Sequence, residues 1–234
     1  MTLPLIDLRR VTVMRGMKPV LREVDLRIDV GEHVAILGPN GSGKSTLIKT
    51  ITRELYPLIR EESRLKILGQ DRWNVFDLRS MLGIVSNDLA SHFATEISGR
   101  NVVLSGFFSS VGLANNHQIT KAMRTKTDEL MDLLDLSHLA DRSMSEMSSG
   151  EMHRTLVARA LVHDPPSLLL DEPSSSLDLF AQQELRGTLR RLARLGTGIL
   201  MITHHLGDII PEIERVIFLR QGMISADGPK QDLL

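Results

Sequence analysis

One stretch constrains this chain more than any other: Gly38-Pro39-Asn40-Gly41-Ser42-Gly43-Lys44-Ser45-Thr46. It fits G-x-x-x-x-G-K-[ST] without a gap. An apolar run, HVAILG (33–38), leads into it, and a helical pattern, STLIKTITREL (45–55), follows. The glycines let consecutive backbone N–H groups turn inward to meet phosphate oxygens, and the start of the next helix adds partial positive charge. Lys44 brings a full charge to the β- and γ-phosphates, the Ser45 hydroxyl suits Mg²⁺, and Thr46 can reach the α-phosphate. A strand that ends in such a loop, with a helix after it, belongs in the interior of an α/β sheet.

The rest of the pattern agrees. LIDLRRVTVMR and VLREVDLRIDV alternate apolar and charged residues, as half-buried antiparallel strands do, with a turn near Gly16–Pro19. RLKILG (64–69) reads as a strand, and DLRSMLGIVSN (77–87) as a short helix running into a strand. The pattern is mostly helical from 88 to 162, and Pro165–Pro166 stops the last helix. SLLLDEP and GILMITHH read as buried strands around an amphipathic, Arg-rich helix at 179–195. ERVIFLRQGMISADG reads as a hairpin turning at Gln221–Gly222. The expected fold is an α/β phosphate-loop NTPase core with a mainly parallel sheet, an N-terminal antiparallel β flank and an inserted helical subdomain. One domain is expected over 1–234, with core and flank from 1–87 and 163–234 and the helical subdomain from 88–162.

Composition excludes several chemistries. With no cysteine, disulfides, thiolate metal sites and cysteine nucleophiles are ruled out, and a reducing compartment is compatible. A net charge of −1 gives no electrostatic footprint for nucleic acid. The longest uncharged stretch, 101–120, is interrupted by Gly, Ser and Asn, and its apolar part is too short to span a bilayer. A role at a membrane therefore requires a separate anchoring chain.

Two further segments carry chemistry. Leu168-Leu169-Leu170-Asp171-Glu172 delivers Asp171 to a Mg²⁺ shell and Glu172 to an attacking water, although strands often end in acids. Met147-Ser148-Ser149-Gly150-Glu151 contains the S-x-x-E of a capping box, so a helix starts there. Its free N–H groups suit a phosphate, or the segment simply caps a structural helix.

GPNGSGKST, MSSGE, LLLDEP, SSLD and ITHH, in this order, make the chain resemble the nucleotide-binding domain of ABC ATPases along essentially its whole length. MSSGE corresponds to the LSGGQ signature; it differs at Met147, Ser149 and Glu151 and keeps Ser148 and Gly150. The resemblance implies ATP and Mg²⁺ as cofactors. It also implies a head-to-tail dimer in which Ser148 and Gly150 close over ATP held by the phosphate loop of a second copy. Asn87 stands where the family has a glutamine that touches Mg²⁺ and the attacking water; being shorter by one methylene, it needs either a closer backbone or a bridging water. His204 matches the switch histidine that hydrogen-bonds the γ-phosphate, with His205 its solvent-facing neighbour. Asp178, in Ser176-Leu177-Asp178, matches the loop that crosses to the partner, or is a helix N-cap, or both. Arg15 replaces the aromatic residue that stacks on adenine; it either stacks its guanidinium there or is a solvated strand residue. Phe107 and Phe108 are either core or part of the groove that receives a helix of the membrane subunit.

The resemblance thus implies the ATPase subunit of an ABC transporter, peripheral on the cytoplasmic face of the cell membrane and working with a separate transmembrane permease. IVSNDL, VVLSGFFSSVGL and ITHHLGDIIPEI resemble the group associated with molybdate transport. A soluble ABC ATPase of translation or DNA repair is the alternative, but a single cassette without long coiled coils fits it less well. An unrelated phosphate-loop kinase or GTPase has no use for MSSGE or His204.

Overall fold

The computed structural model describes residues 3–86, 93 and 96–234. Two sheets form the framework. Strands β1 (Pro4–Arg15) and β2 (Lys18–Asp29) make the expected antiparallel hairpin, with Gly16 at φ 59° in the turn. β4 (Arg64–Ile67) adds to the same sheet in the order β2-β1-β4, so RLKILG extends the flank rather than the core. The second sheet has the order β5-β6-β7-β3-β8-β9. β5 (Gly83–Ser86), β6 (Ser167–Asp171), β7 (Gly198–Thr203), β3 (Val34–Leu37) and β8 (Arg215–Arg220) run parallel, and β9 (Met223–Pro229) closes the edge antiparallel to β8.

The parallel strands read as continuous apolar runs because both faces are covered. Side chains alternate between two clusters. Ile36, Leu169, Leu200 and Ile202 join the antiparallel flank and Leu47, Ile48 and Ile51 of the helix Lys44–Ile51, which lies between the sheets. Leu168, Leu170, Ile199 and Met201 join the opposite cluster. That cluster contains Val102 and Val103 of the helix Gly99–Ser105, Leu130 and Met131 of the helix Lys121–Leu133, Leu156 and Val157 of the helix Ser149–Ala160, and Leu185 and Leu189 of the helix Leu179–Arg194. One apolar cluster therefore runs across the boundary placed at 162, tying the helical segment to the sheet.

The helix after the phosphate loop is shorter than its apolar pattern. It ends at Ile51, because Arg53 takes a left-handed backbone (φ 62°) and its guanidinium donates to the carbonyls of Leu65 and Asp71. Burial lowers the pKa of Arg53, with Tyr56 and Asp71 opposing that shift.

The last hairpin turns as expected, with Gln221 at φ 51° and Gly222 at φ 78°, the pattern of a two-residue turn that requires φ > 0 at both positions. This turn also grips the nucleotide-loop region. Gly222 N–H donates to the Ser42 carbonyl at 2.8 Å, and Arg22 N–H donates to the Gly222 carbonyl at 2.8 Å. A Cβ on Gly222 would stand 2.1 Å from the Val20 carbonyl oxygen. Gly222→Ala is therefore expected to destabilise the chain by about 2–4 kcal/mol in urea unfolding, through backbone strain and a clash with backbone that cannot move cheaply. The Gln221→Ala control is expected to lose much less.

Candidate active site

The C-terminal ends of β3, β6 and β7 bring the chemistry together. The register sets Leu37 beside Thr203 and Asp171 beside Ile202. The chain leaves β3 into Gly38, β6 into Glu172 and β7 into His204. The phosphate loop is built for close approach: Gly41 and Gly43 have φ 77° and 111°, and a Cβ on Gly38 would lie 2.3 Å from the Leu219 carbonyl oxygen. Pro39 accepts the N–H of Ser42 at 3.1 Å, and the buried Ser42 hydroxyl packs beneath the loop. Thr46 is buried in the first turn of the helix.

The helix Lys44–Ile51 begins differently from its neighbours. Asn74, Ser98, Thr120, Ser148 and Asp178 each cap a helix by accepting a backbone N–H with the side chain. Gly43 has no side chain to do so, and no acid occupies the first turn. The free N–H groups and the dipole are thus left for an anion.

Lys44 is 5% exposed; its Nζ donates to the carbonyls of Gly38 (2.8 Å) and Pro39 (3.3 Å) and lies 3.5 Å from Glu172 Oε1. The same carboxylate oxygen is 3.1 Å from Nδ1 of His204, whose ring packs on His205 at 3.8 Å. Glu172 has φ 47°, a left-handed conformation that a non-glycine residue keeps only when its surroundings impose it. Its N–H donates to the Ile202 carbonyl at 2.8 Å, which carries the ladder one residue past the end of β6.

A cleft of about 730 Å³ opens beside these groups. Its lining includes Asn40, Ser45, Asp171 and Glu172 from the strand ends and the phosphate loop, and Gly106, Ser109, Ser110 and Arg159 from the helical segment. Arg159 sits over the Phe93 ring at 5.1 Å, and its pKa is lowered to about 10 by burial, with the Arg79 charge adding to the effect. Among the described residues no cluster of three or more His, Cys, Asp or Glu could cage a metal. Mg²⁺ at a phosphate site commonly takes a hydroxyl and a carboxylate from a protein and the rest of its oxygens from phosphate and water. Ser45 and Asp171, both on the cleft, are such a pair. Asn87 lies outside the described residues; Ser86 before it pairs with Asp171.

Other expected residues stand apart. Ser148 and Glu151 form the capping box in full: Ser148 N–H donates to Glu151 Oε2 at 2.8 Å, and Glu151 N–H to Ser148 Oγ at 3.3 Å. Gly150 is buried, and a Cβ there would meet Ala181 Cβ at 2.8 Å. Neither Ser148 nor Gly150 lines the cleft. Asp178 caps the helix Leu179–Arg194 by accepting the Ala181 N–H at 2.8 Å. Arg15 is exposed at the hairpin tip; the strand beyond it crosses the phosphate loop, where Leu21 and the Val20 carbonyl face Gly43. Phe107 packs on the core and meets His163 edge-on at 5.4 Å, whereas Phe108 stacks on His117 at 4.1 Å. Sequence reasoning missed two residues that support the site: Gly222, which reads only as a turn, and the buried Asp208.

The profile of the ABC transporter family matches residues 21–175. The chain is 31% identical to a putative ABC transporter ATP-binding protein of Streptococcus mutans, covering 98% of this chain and 88% of that one. This chain belongs to the ABC transporter family. It is an ATP-binding subunit with ATPase activity. A hemin import ATP-binding protein, HmuV, of Bradyrhizobium diazoefficiens is 33% identical over 98% of this chain and 84% of its own length. Among solved structures, the dimeric post-hydrolysis ATP-binding cassette MJ0796 bound to ADP and Pi superposes with TM-score 0.76 at 25% identity, covering 96% of this ABC subunit and 98% of that chain.

The capping box of this ABC subunit gives a pH prediction. Burial pushes the Glu151 pKa up, but the Ser148 backbone and hydroxyl hydrogen bonds and the charges of Arg142 and Arg154 hold it below the ordinary 4.5. A depressed carboxylate contributes stability that is complete above 4.5 and is lost as pH falls through the folded-state value. From about pH 6 to about pH 4, the wild-type chain should lose a few tenths of a kcal/mol more than Glu151→Gln in chemical denaturation, after allowing for solvent screening.

Proposed function

We propose that two copies of this chain meet head-to-tail, close on two ATP molecules and drive a separate membrane permease from its cytoplasmic side. The observation that carries the proposal is the convergence of Lys44, Glu172 and His204 at three adjacent strand ends beside one cleft. The position of Ser148 supports the pairing: it starts a helix with donors to offer, yet it is absent from the lining of its own chain's cleft. The dimeric form of the MJ0796 cassette supports it as well. The chain is read as a single ATPase domain with its helical segment inserted between β5 and β6. Among the described residues no helix is long and apolar enough to cross a membrane.

Each residue then has a task. Gly38, Pro39, Asn40, Gly41, Ser42 and Gly43 shape the loop whose N–H groups hold the phosphates; Lys44 pairs with them and Thr46 supports the α-phosphate. Ser45 and Asp171 hold Mg²⁺, which when bound neutralises charge on the phosphate oxygens; Asn87 joins them by its place in the family pattern. Phosphate entry draws Lys44 and His204 away from Glu172. The freed carboxylate accepts a proton from the attacking water, and His204 donates to the γ-phosphate. Ser148 and Gly150 complete the site of the opposite copy, and Asp178 couples the two sites. Arg15 stacks on the base; it is exposed at the tip of the hairpin whose second strand passes Gly43 at Val20 and Leu21. The part of the cleft lined by the helical segment, near Phe107 and Phe108, receives the permease.

Cargo belongs to the permease. Several relatives are named for hemin import, and three stretches of this chain resemble the molybdate-associated group; the adjacent genes distinguish these readings.

Glu172→Gln is expected to lower hydrolysis about 10²–10⁴-fold, the usual worth of a general base, while leaving ATP binding intact. In size-exclusion chromatography with ATP it should elute as a dimer. A monomer under saturating ATP contradicts the proposal. Arg15→Ala should raise the KM for ATP about 2–20-fold at unchanged kcat, the worth of one stacked guanidinium.

A further inference from the structure

The buried Asp208 is not part of the cleft, yet it holds both loops on which the proposed chemistry depends. It is 4% exposed, and both carboxylate oxygens are met by hydroxyls rather than by a cation. Thr203 Oγ1 donates to Oδ2 at 2.5 Å, and the Ser174 hydroxyl donates to Oδ1. Ser174 lies two residues beyond Glu172, and Thr203 is the last residue of β7, immediately before His204. Thr203 Oγ1 also accepts the N–H of His205 at 3.0 Å, so the hydroxyl fixes the chain on the other side of His204. The turn that carries Asp208, Leu206–Asp208, is itself anchored, because Arg186 of the helix Leu179–Arg194 donates to the Gly207 carbonyl.

A carboxylate in such a place is costly to bury unless each oxygen is hydrogen-bonded, and here each is. Packing alone is served as well by a leucine or an asparagine. What only a carboxylate supplies is acceptance from two hydroxyls at once. A carboxamide accepts on one side and presents N–H on the other, so one hydroxyl has to turn round. The strained backbone of Glu172 gives this clasp its purpose: a left-handed glutamate persists only where its neighbours are pinned.

We infer that Asp208 is a positioning residue for ATP hydrolysis, setting the separation of Glu172 from His204 by tying together the loop after β6 and the end of β7. This rests on the roles proposed above for Glu172 and His204.

The test is steady-state ATPase kinetics of Asp208→Ala, Asp208→Asn, Ser174→Ala, His204→Ala and the double variant Asp208→Ala/His204→Ala. Asp208→Ala should lower kcat about 10–100-fold, the scale of a misplaced catalytic group, with the KM for ATP within about twofold of wild type. Asp208→Asn should recover part of the loss. The double variant should lose less than the product of the two single losses, because residues that shape one catalytic arrangement are not additive. If Asp208→Ala does not fold, Ser174→Ala carries the test, with a smaller fall in kcat at unchanged KM. Wild-type kcat in Asp208→Ala, a rise in KM that accounts for the loss, or full additivity with His204→Ala overturns the inference. If Glu172→Gln and His204→Ala both hydrolyse at the wild-type rate, the catalytic assignment falls first and the inference with it; that result is distinct from failure of the clasp alone.

Discussion

β3, β6 and β7 lie side by side and parallel, and the site depends on the register between them. Leu37 pairs with Thr203 and Asp171 with Ile202, so Gly38 and His204 emerge level with each other and Glu172 one residue earlier, beside Thr203. A slip of one residue would reverse the faces of a strand and carry its last side chain away from its partners. Burial on both sides prevents the slip. Leu169 and Leu200 face the flank cluster, while Leu168, Leu170, Ile199 and Met201 face the helices, and neither set can be exchanged without exposing apolar surface or overfilling a packed core. The apolar content of these strands therefore does two jobs: it builds the core and it aligns the catalytic ends.

The electrostatics of the strand ends follow from this alignment. An ammonium as buried as Lys44 needs anionic or carbonyl partners. In this structure it has the carbonyls of Gly38 and Pro39 and the carboxylate of Glu172. Glu172 thus serves as the counter-ion of Lys44 and shares its oxygen with His204. A triphosphate offers more negative charge at the same place, with the uncapped helix start adding to its hold. On the proposed mechanism, nucleotide arrival and the release of the base are one electrostatic exchange. That is a physical reason for hydrolysis to wait until the cradle is full.

Much of this was legible in the sequence. Period-two alternation identified the flank, continuous apolar runs identified the buried strands, and the capping box at Ser148–Glu151 formed as its residue types require. Local chemistry decides these features, so a local reading finds them. What escaped depends on contacts across the fold. RLKILG has the same pattern in either sheet, and its pairing with β1 is a contact between segments distant in the chain. The left-handed backbone of Glu172 has no residue signal, since glutamate does not favour that conformation. Gly222 announces a turn but not its grip on Ser42, and the contacts of Asp208 with Ser174 and Thr203 have no local signal.

Gly150 shows why a motif residue can answer to two constraints at once. Its expected task was to bare a helix start for phosphate. The structure adds that a side chain there would collide with Ala181, on the helix that Asp178 caps, and that Arg154 and Glu184 approach to 3.4 Å between the same two helices. The signature segment and the Asp178 segment are therefore packed against each other within one chain. If both reach the partner's nucleotide as proposed, they do so as a single body: a displacement felt at Asp178 is transmitted to Ser148 through a contact with no room for slack. Close packing of this kind conveys movement in discrete steps, because a packed interface shifts between arrangements and does not stretch. On that proposal, the absent Cβ of Gly150 is part of the coupling between sites as well as of the opening left for phosphate.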